Sequence, residues 1–493
     1  MKKHYLLKTL YISFLLFLIT PLELFSQTSE SSQGDCFLIM AGNKTTRSNS
    51  VLLGHNNDLN GNEFSFLKKH SRQKHDSSEF ITFQNGLKIP QINITPEWMA
   101  LQTKKGIKEG DAVAINEYQV AIAGGVSLQN DRNDRAKKYD PLIDTGVTGG
   151  IRYVALQRAS TARECVKLIG EFYNKYGISY PSGIGIADKN EIWYMEAGGG
   201  HHWAAIKIPD NACWIQANGY RIEHIDTGSN AVMTSPGLLE FAKENGLWNP
   251  EEELFSFKKV FGGATLESEK NPYYNTRRVW RAIELIAPSM LAEPNQKNFP
   301  LFIRPDSKLD IQDIMRVLKD HYQNTDYNPY KNDNDSIKER PIASKNTVHT
   351  SIIQLRNGLP SSMGAILWAG LSSPVATPYV PVYFGIHQVP FPYSGDAPDE
   401  NKAFNSFKRI ADLYYTDPSY FSSEYPDLFV NFQQKCIQEQ RLIDQNAFRL
   451  FRSSRKMALH MLTVSVESLC QEATELSEKY YSEMQKSKIT ETQ

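Results

Sequence analysis

Five cysteines in 493 residues are few: Cys36, Cys165, Cys213, Cys436 and Cys470. The count is odd, with no CxxC pair and no metal-type spacing, so a dense disulfide framework or a structural zinc site is not expected. Charge of one sign is also missing. Lys and Arg total 54 against 55 Asp and Glu, a net of −1. That balance gives no electrostatic footprint for nucleic acid or for an anionic membrane surface. There is no GxSxG elbow, no HExxH and no GxxxxGK[ST], which removes the usual serine-hydrolase, zincin and P-loop signatures. Beyond the first 26 residues, no stretch is long and apolar enough to span a bilayer.

What is present begins with a leader. Lys2, Lys3, His4 and Lys8 form a basic start, Leu10 to Leu22 is apolar, and Leu24-Phe25-Ser26 reads as a cleavage site. Residues 1–26 are therefore expected to be a signal peptide, followed by a short polar propeptide, 27–35. The expected location is outside the cytoplasm, periplasmic or extracellular, without stable membrane insertion once the leader is gone.

Next comes a predicted hairpin. Phe37-Leu-Ile-Met40 and Val51-Leu-Leu53 are apolar runs around an Asn-, Thr- and Ser-rich turn, and the second run continues into Gly54-His-Asn-Asn-Asp58. Cys36 stands at the head of the first strand. Cleavage before it would place a thiol (pKa ~8.5) and a free α-amine (pKa ~7.7–8.0) on one residue. The amine can then take the thiol proton, so nucleophile and base share a residue. A buried strand cysteine with no chemical role is the other reading of the same residue.

Further along, strands are expected on either side of Asn116-Glu117, at 183–188 and 191–197, at 204–208 and at 213–217. Lys68 to Ser78 reads as a basic polar loop. Thr161 and Glu164 read as a capping box opening a helix with Cys165, Leu168, Ile169 and Phe172 on one face. Helices are expected at 235–244 and 276–286, and strands at 349–356, 364–371 and 379–386. From about residue 400 the pattern is helical to the end. Adjacent His201 and His202 on a strand would point to opposite faces and so do not suggest a shared metal.

Taken together, these pieces resemble the dipeptidase A family of cysteine N-terminal nucleophile (Ntn) hydrolases, related to secernins and more distantly to penicillin V acylases and bile salt hydrolases. The matching stretches run from Gly-Asp-Cys36 through Gly54-His-Asn-Asn-Asp58, Val120-Ala-Ile-Ala-Gly-Gly125, Glu191-Ile-Trp-Tyr-Met-Glu196, Ala217-Asn-Gly-Tyr-Arg221 and Asn275-Thr-Arg-Arg-Val-Trp-Arg281 to Tyr379-Val-Pro-Val-Tyr-Phe-Gly385. The resemblance implies an α+β fold, an αββα sandwich of two stacked antiparallel sheets between helical layers. The hydrolase domain would span 36–399, with a helical C-terminal extension over 400–493.

The resemblance also implies site roles. Cys36 would be nucleophile and, through its amine, base. Asp58 would orient that amine, Asn218 and the Val126 N–H would form an oxyanion hole, and Arg278 would favour the thiolate. Outside the resemblance, Asp58 also reads as a turn or cap residue, the Asn218-Gly219 pair reads as a hairpin turn, and Arg278 as a helix-surface arginine. One position departs from the distant acylases: His55 stands where they carry an arginine, so its role is left open. The implied reaction is hydrolysis of small peptides, without a cofactor or metal. Acyl amides such as N-acyl amino acids, bile-salt conjugates or β-lactam side chains are the alternative substrates. An inactive binding protein of the same fold, or a protein whose helical C-terminus serves assembly, remain readings of another class. Oligomeric state is open.

Overall fold

The structure is a computed structural model; it describes residues 36–59, 61–103, 113–266, 268, 271–330, 339–395, 402–418 and 428–491. The expected leader and propeptide, 1–35, lie outside the described residues. In chain order the first strands are β1 (Phe37–Ala41), β2 (Val51–Asp58), β3 (Ser65–His70), β4 (Gln73–Lys74), β5 (Phe80–Thr82), β6 (Lys88–Pro90), β7 (Ile94–Thr95), β8 (Trp98–Thr103) and β9 (Val113–Asn116). There follow β10 (Ala121–Ser127), β11 (Ser182–Ala187), β12 (Ile192–Ala197), β13 (Trp203–Ile208), β14 (Cys213–Gln216), β15 (Val232–Thr234), β16 (Thr347–Leu355), β17 (Ala365–Leu371) and β18 (Val380–Tyr383).

These strands build two large antiparallel sheets. One has six strands in the order β14-β1-β2-β16-β17-β18; the other has eight, β15-β13-β12-β11-β10-β9-β8-β3. The expected hairpin is β1 with β2, paired so that Phe37 faces Asn56 and Leu38 faces His55. The sheets stack with β1 and β2 over β10 and β11. Gly185 of β11 permits this close approach, because a Cβ there would run into the Met40 and Leu38 side chains of β1.

Both faces of the eight-stranded sheet are buried. Along β12, Ile192 and Tyr194 belong to the main core, while Trp193 and Met195 join a second apolar cluster. Alternate strand residues point to opposite faces, so one strand serves both layers. The second cluster is closed by helices Ile151–Leu156 and Ala162–Tyr176. On the six-stranded sheet, helix Ile311–Leu318 packs on β2 and β16, and helix Arg277–Ile286 packs beside β14. The layers are helix, sheet, sheet, helix, the α+β sandwich that the resemblance implied.

Two local expectations are corrected. The polar loop expected over Lys68–Ser78 is partly strand: Ser65–His70 pairs with Trp98–Thr103. Phe66 and Leu67 bury at its start and the His70 ring stacks on Trp98 at 3.8 Å, so packing outweighs the two lysines. The capping box of helix Ala162–Tyr176 is half formed. Thr161 Oγ1 accepts the Glu164 N–H at 3.1 Å, but the Glu164 carboxylate accepts the Ser160 N–H at 2.8 Å and its hydroxyl at 2.7 Å. Ser160 offers two donors where the Thr161 backbone offers one.

At the C-terminus, helices Ala403–Thr416, Val430–Ser453 and Arg455–Glu491 pack against β17 and β18. The outer strand is stitched to them by side chains. Gln433 accepts the Tyr379 N–H at 2.8 Å and donates to its carbonyl at 3.0 Å. Asp444 accepts from the Tyr383 hydroxyl at 2.8 Å and pairs with Arg356.

Candidate active site

The site forms where β1 begins. The β1–β2 register, continued by one pair, sets Cys36 opposite Asn57, and its Sγ lies 3.3 Å from Asn57 Oδ1. Cys36 is 2% exposed. Alternation places its sulfur on the same face as Leu38 and Met40, toward the second sheet. Asp58 is one residue further along β2.

Arg278 comes from the helical layer. It sits in the first turn of helix Arg277–Ile286, directly after a π-helical turn, Pro272–Thr276. Such turns recur at functional sites because they offset the side chains that follow. The guanidinium is fully buried and faces three uncharged acceptors: the Cys36 carbonyl at 3.4 Å, Asn218 Oδ1 at 2.7 Å and the Tyr274 carbonyl at 2.6 Å. Burial and the nearby charge of Arg340 pull its pKa down to about 10. It therefore remains a cation at neutral pH, next to the cysteine.

Asn218 follows β14, the neighbour of β1, and is fully buried. Its Nδ2 donates to the Ser127 carbonyl of β10 at 3.0 Å, so the residue spans the two sheets. Val126 is in β10 at a bulge, where the register with β11 shifts between Gly124 and Val126. Gly124 and Gly125 both have positive φ, 116° and 109°. Arg152 occupies the space over Gly125 and donates to the Gly124 carbonyl.

Asp58 is buried and accepts the Thr347 hydroxyl at 2.6 Å, with Arg340 Nη2 at 3.4 Å. Arg340 also lies over the Tyr274 ring, 5.2 Å from its centroid. Cys36, Asn218 and Arg278 are thus joined by direct contacts, and Asp58 adjoins them through the β2 register and Arg340.

His55 differs in kind. It is on β2 opposite Leu38, fully buried, and neither ring nitrogen has a hydrogen-bond partner among the described residues. Burial pushes its pKa well down, and the proximity of His349 and of the Arg152 guanidinium adds to this. The ring is neutral at neutral pH and supplies no cation to the thiol. Its neighbour Asn56 faces the other way and pins the helical layer, donating to the carbonyls of Leu318 at 2.9 Å and Ile342 at 2.8 Å.

Tyr220 and Trp203 do not come together as an aromatic mouth to the site. Trp203 packs in the outer apolar cluster with its Nε1 donating to Asn174 at 2.9 Å, on the far side of the sheet. Tyr220 is buried and donates to the Ala197 carbonyl at 2.9 Å; it lines a small cleft of about 30 Å³ with Asn275 and Arg221. Strand parity sends Trp203 outward, away from β1. His201 and His202 also part company, toward Asp140 at 3.0 Å and Ser235 at 2.9 Å.

Asn57, Arg340, Thr347 and Arg152 are contributors that sequence reasoning missed. Asn57 stands inside the Gly54–Asp58 stretch and could have been found by continuing the hairpin register. Arg340 and Thr347 lie 282 and 289 residues from Asp58 along the chain, and no local pattern marks them.

The chain matches peptidase family C69 over residues 35–424. It is 33% identical over 362 residues to a protein of Latilactobacillus sakei described as a probable dipeptidase, covering 71% of this chain and 74% of that one. A probable dipeptidase of Salmonella dublin is 28% identical over 358 residues, covering 71% and 81%. Dipeptidase A of Lactobacillus helveticus is 27% identical over 372 residues, covering 73% and 77%. Among solved structures, a mutant of the conjugated bile acid hydrolase from Clostridium perfringens aligns with 13% identity and a TM-score of 0.27, over 68% of this chain and 89% of that one, too distant to place any residue. With the match beginning one residue before Cys36 and running through both sheets, the chain belongs to peptidase family C69 and is a cysteine-type hydrolase.

Proposed function

We propose that this protein is an exported dipeptidase that cleaves the amide bond of dipeptides with Cys36 as an N-terminal nucleophile. The observation that carries the reading is the convergence on Cys36 of a buried cation and an amide: Arg278 contacts both the Cys36 carbonyl and Asn218. A cation beside a cysteine favours the thiolate. Removal of residues 1–26 and then 27–35 frees the Cys36 nitrogen as an amine. The last cut either follows from attack of the thiol on the Asp35 carbonyl or is made by another protease.

In turnover the amine takes the thiol proton and Sγ attacks the scissile carbonyl carbon. The oxyanion is held by Asn218 Nδ2 and the Val126 N–H, each able to contribute about 10²–10³ in kcat. Asn218 Nδ2 meets the Ser127 carbonyl, which leaves its second hydrogen for this task. The ammonium returns its proton to the leaving amine as the C–N bond breaks, giving a thioester. Water, deprotonated by the amine, attacks the thioester; the C–S bond breaks and the thiol recovers its proton. The names of the relatives support a dipeptide over an acyl amide as substrate.

The test is intact-mass analysis of the mature protein beside Cys36→Ser and Cys36→Ala, with hydrolysis measured on a dipeptide panel and on acyl amides. The active wild type should begin at Cys36, and Cys36→Ala should be inactive. Full activity in a protein whose Cys36 nitrogen is still acylated by Asp35 would refute the mechanism. Activity confined to acyl amides would replace the substrate class.

A further inference from the structure

On the proposed reading, Asp58, one step along β2 from the Asn57 that meets Cys36, is the carboxylate that serves the Cys36 nitrogen. A lone carboxylate there would stabilise an ammonium and so hold the amine in its charged form, the wrong state for a base. The structure places a guanidinium on the far side of that carboxylate: Arg340 Nη2 lies 3.4 Å from Asp58 Oδ2, while Thr347 donates to Oδ1 at 2.6 Å.

Arg340 is held firmly. Its N–H donates to the Tyr273 carbonyl at 3.0 Å, its own carbonyl accepts the Tyr322 hydroxyl at 3.0 Å, and its guanidinium lies over the Tyr274 ring. The preceding Glu339 pairs with Arg277, the residue before Arg278. One short segment is therefore anchored to the helix that also presents Arg278.

The charges around the Cys36 nitrogen can be enumerated by element. β2 supplies Asp58 and the neutral His55; β16 supplies the neutral His349, whose pKa burial lowers to about 3. Helix Arg277–Ile286 and the turn before it supply Arg278 and the Tyr274 phenol. The segments before β16 supply Arg340, the Tyr322 and Tyr330 phenols, both pushed upward by burial and so uncharged, and the carboxylates Glu339 and Asp320, paired with Arg277 and Arg281. Arg152 adds a more distant cation from helix Ile151–Leu156, felt at His55. Arg278 and Arg340 thus both act on Asp58, two cations to one carboxylate.

We propose that Arg340 is a positioning residue of the Cys36 site: acting through its pair with Asp58, it supplies the second cation that keeps the Cys36 nitrogen uncharged. The same excess of positive charge favours the thiolate over the thiol. Asp58 then orients the amine by hydrogen bonding, while its electrostatic pull toward ammonium is offset by Arg340. The inference rests on the reading of Cys36 as N-terminal nucleophile.

The experiment is the pH dependence of kcat/KM for mature wild type, Arg340→Gln and Arg340→Lys on one dipeptide. Neutralising a charge within roughly 4–6 Å of a titrating group moves its pKa by about one unit or more. In Arg340→Gln the acid limb should move up by about one pH unit, a roughly tenfold loss on that limb, with the alkaline plateau kept within about threefold. Arg340→Lys retains the charge and should keep the limb near that of wild type. Arg340→Met, apolar and of similar length, carries the same expectation as Arg340→Gln should that variant fail to fold. A uniform fall at every pH, or an unmoved limb, overturns the proposal. Cys36→Ala is assayed alongside: activity surviving there sinks the nucleophile reading itself, whereas an inactive Cys36→Ala with an unmoved Arg340→Gln limb sinks only the role of Arg340.

Discussion

At the scale of single residues, Asn218 joins three parts of the molecule. Its oxygen accepts from Arg278, its nitrogen donates to β10, and its backbone follows β14. Asn218→Ala removes a donor from the proposed oxyanion hole and leaves Arg278 without one of its three acceptors. We expect kcat to fall by about 10²–10³ with a smaller change in KM, measured by steady-state hydrolysis of a dipeptide. Glu196 is a second informative residue. It is fully buried and accepts the Arg221 N–H at 2.8 Å and the Ile222 N–H at 3.1 Å, which holds the loop carrying Asn218. Burial raises its pKa to about 8 against the pull of those N–H groups. The folded protein therefore keeps a proton that the unfolded chain releases near the ordinary value of about 4.3. The contribution to stability is complete below that ordinary value and is lost as pH rises through about 8. Melting temperature should decline over this window in wild type, and the decline should flatten in Glu196→Gln.

At the scale of elements, the β10 bulge and the helix that backs it act as one unit. Gly125 has φ of 109°, and a Cβ on it would overlap the Arg152 guanidinium. Gly125→Ala imposes both backbone strain and a displaced buried cation. The expected cost is about 2–4 kcal/mol of stability and at least about tenfold in kcat, read from denaturant midpoints and steady-state rates. The outer strand β18 depends equally on its neighbours. Gln433 answers both backbone groups of Tyr379 just before that strand. Gln433→Ala leaves a buried N–H and C=O without these partners, and about 2–3 kcal/mol should be lost in chemical denaturation. Activity per folded molecule should be unchanged, because the contact lies at the sheet edge remote from β1 in strand order.

At the scale of the whole molecule, the six-stranded sheet carries Cys36 near one edge and the C-terminal helices at the other. Helices Ala403–Thr416, Val430–Ser453 and Arg455–Glu491 cover β17 and β18, so their apolar contacts belong to the same core as β1. Ending the chain at residue 402 would strip that cover and leave an outer strand with an unpaired edge, a template for aggregation. Such a truncation should yield insoluble or protease-sensitive protein, seen by size-exclusion chromatography and limited proteolysis. Recovery of a soluble, active truncated protein would mean that the core closes without these helices.

Local pattern carried much of the architecture. Apolar runs located β1, β2, β9 to β14 and β16 to β18 within a few residues, because these strands are bounded by turn chemistry that acts over a short range. It failed at β3, where Lys68 and Lys69 hid a strand held by its partner Trp98–Thr103. The motif around Gly54–Asp58 was legible as a group, but the division of labour within it was not. Strand parity sends Asn57 to the thiol and Asn56 to the helices, while burial disarms His55.

What the sequence alone determined is a cysteine that heads an apolar strand, together with the short motifs that mark its family. These are properties of neighbouring residues, and neighbours along the chain interact whatever the fold. The electrostatics of that cysteine were decided only in three dimensions. Arg278, Arg340 and Thr347 reach β1 and β2 from positions more than 200 residues away, and a charge acts through space, with a strength set by burial and distance.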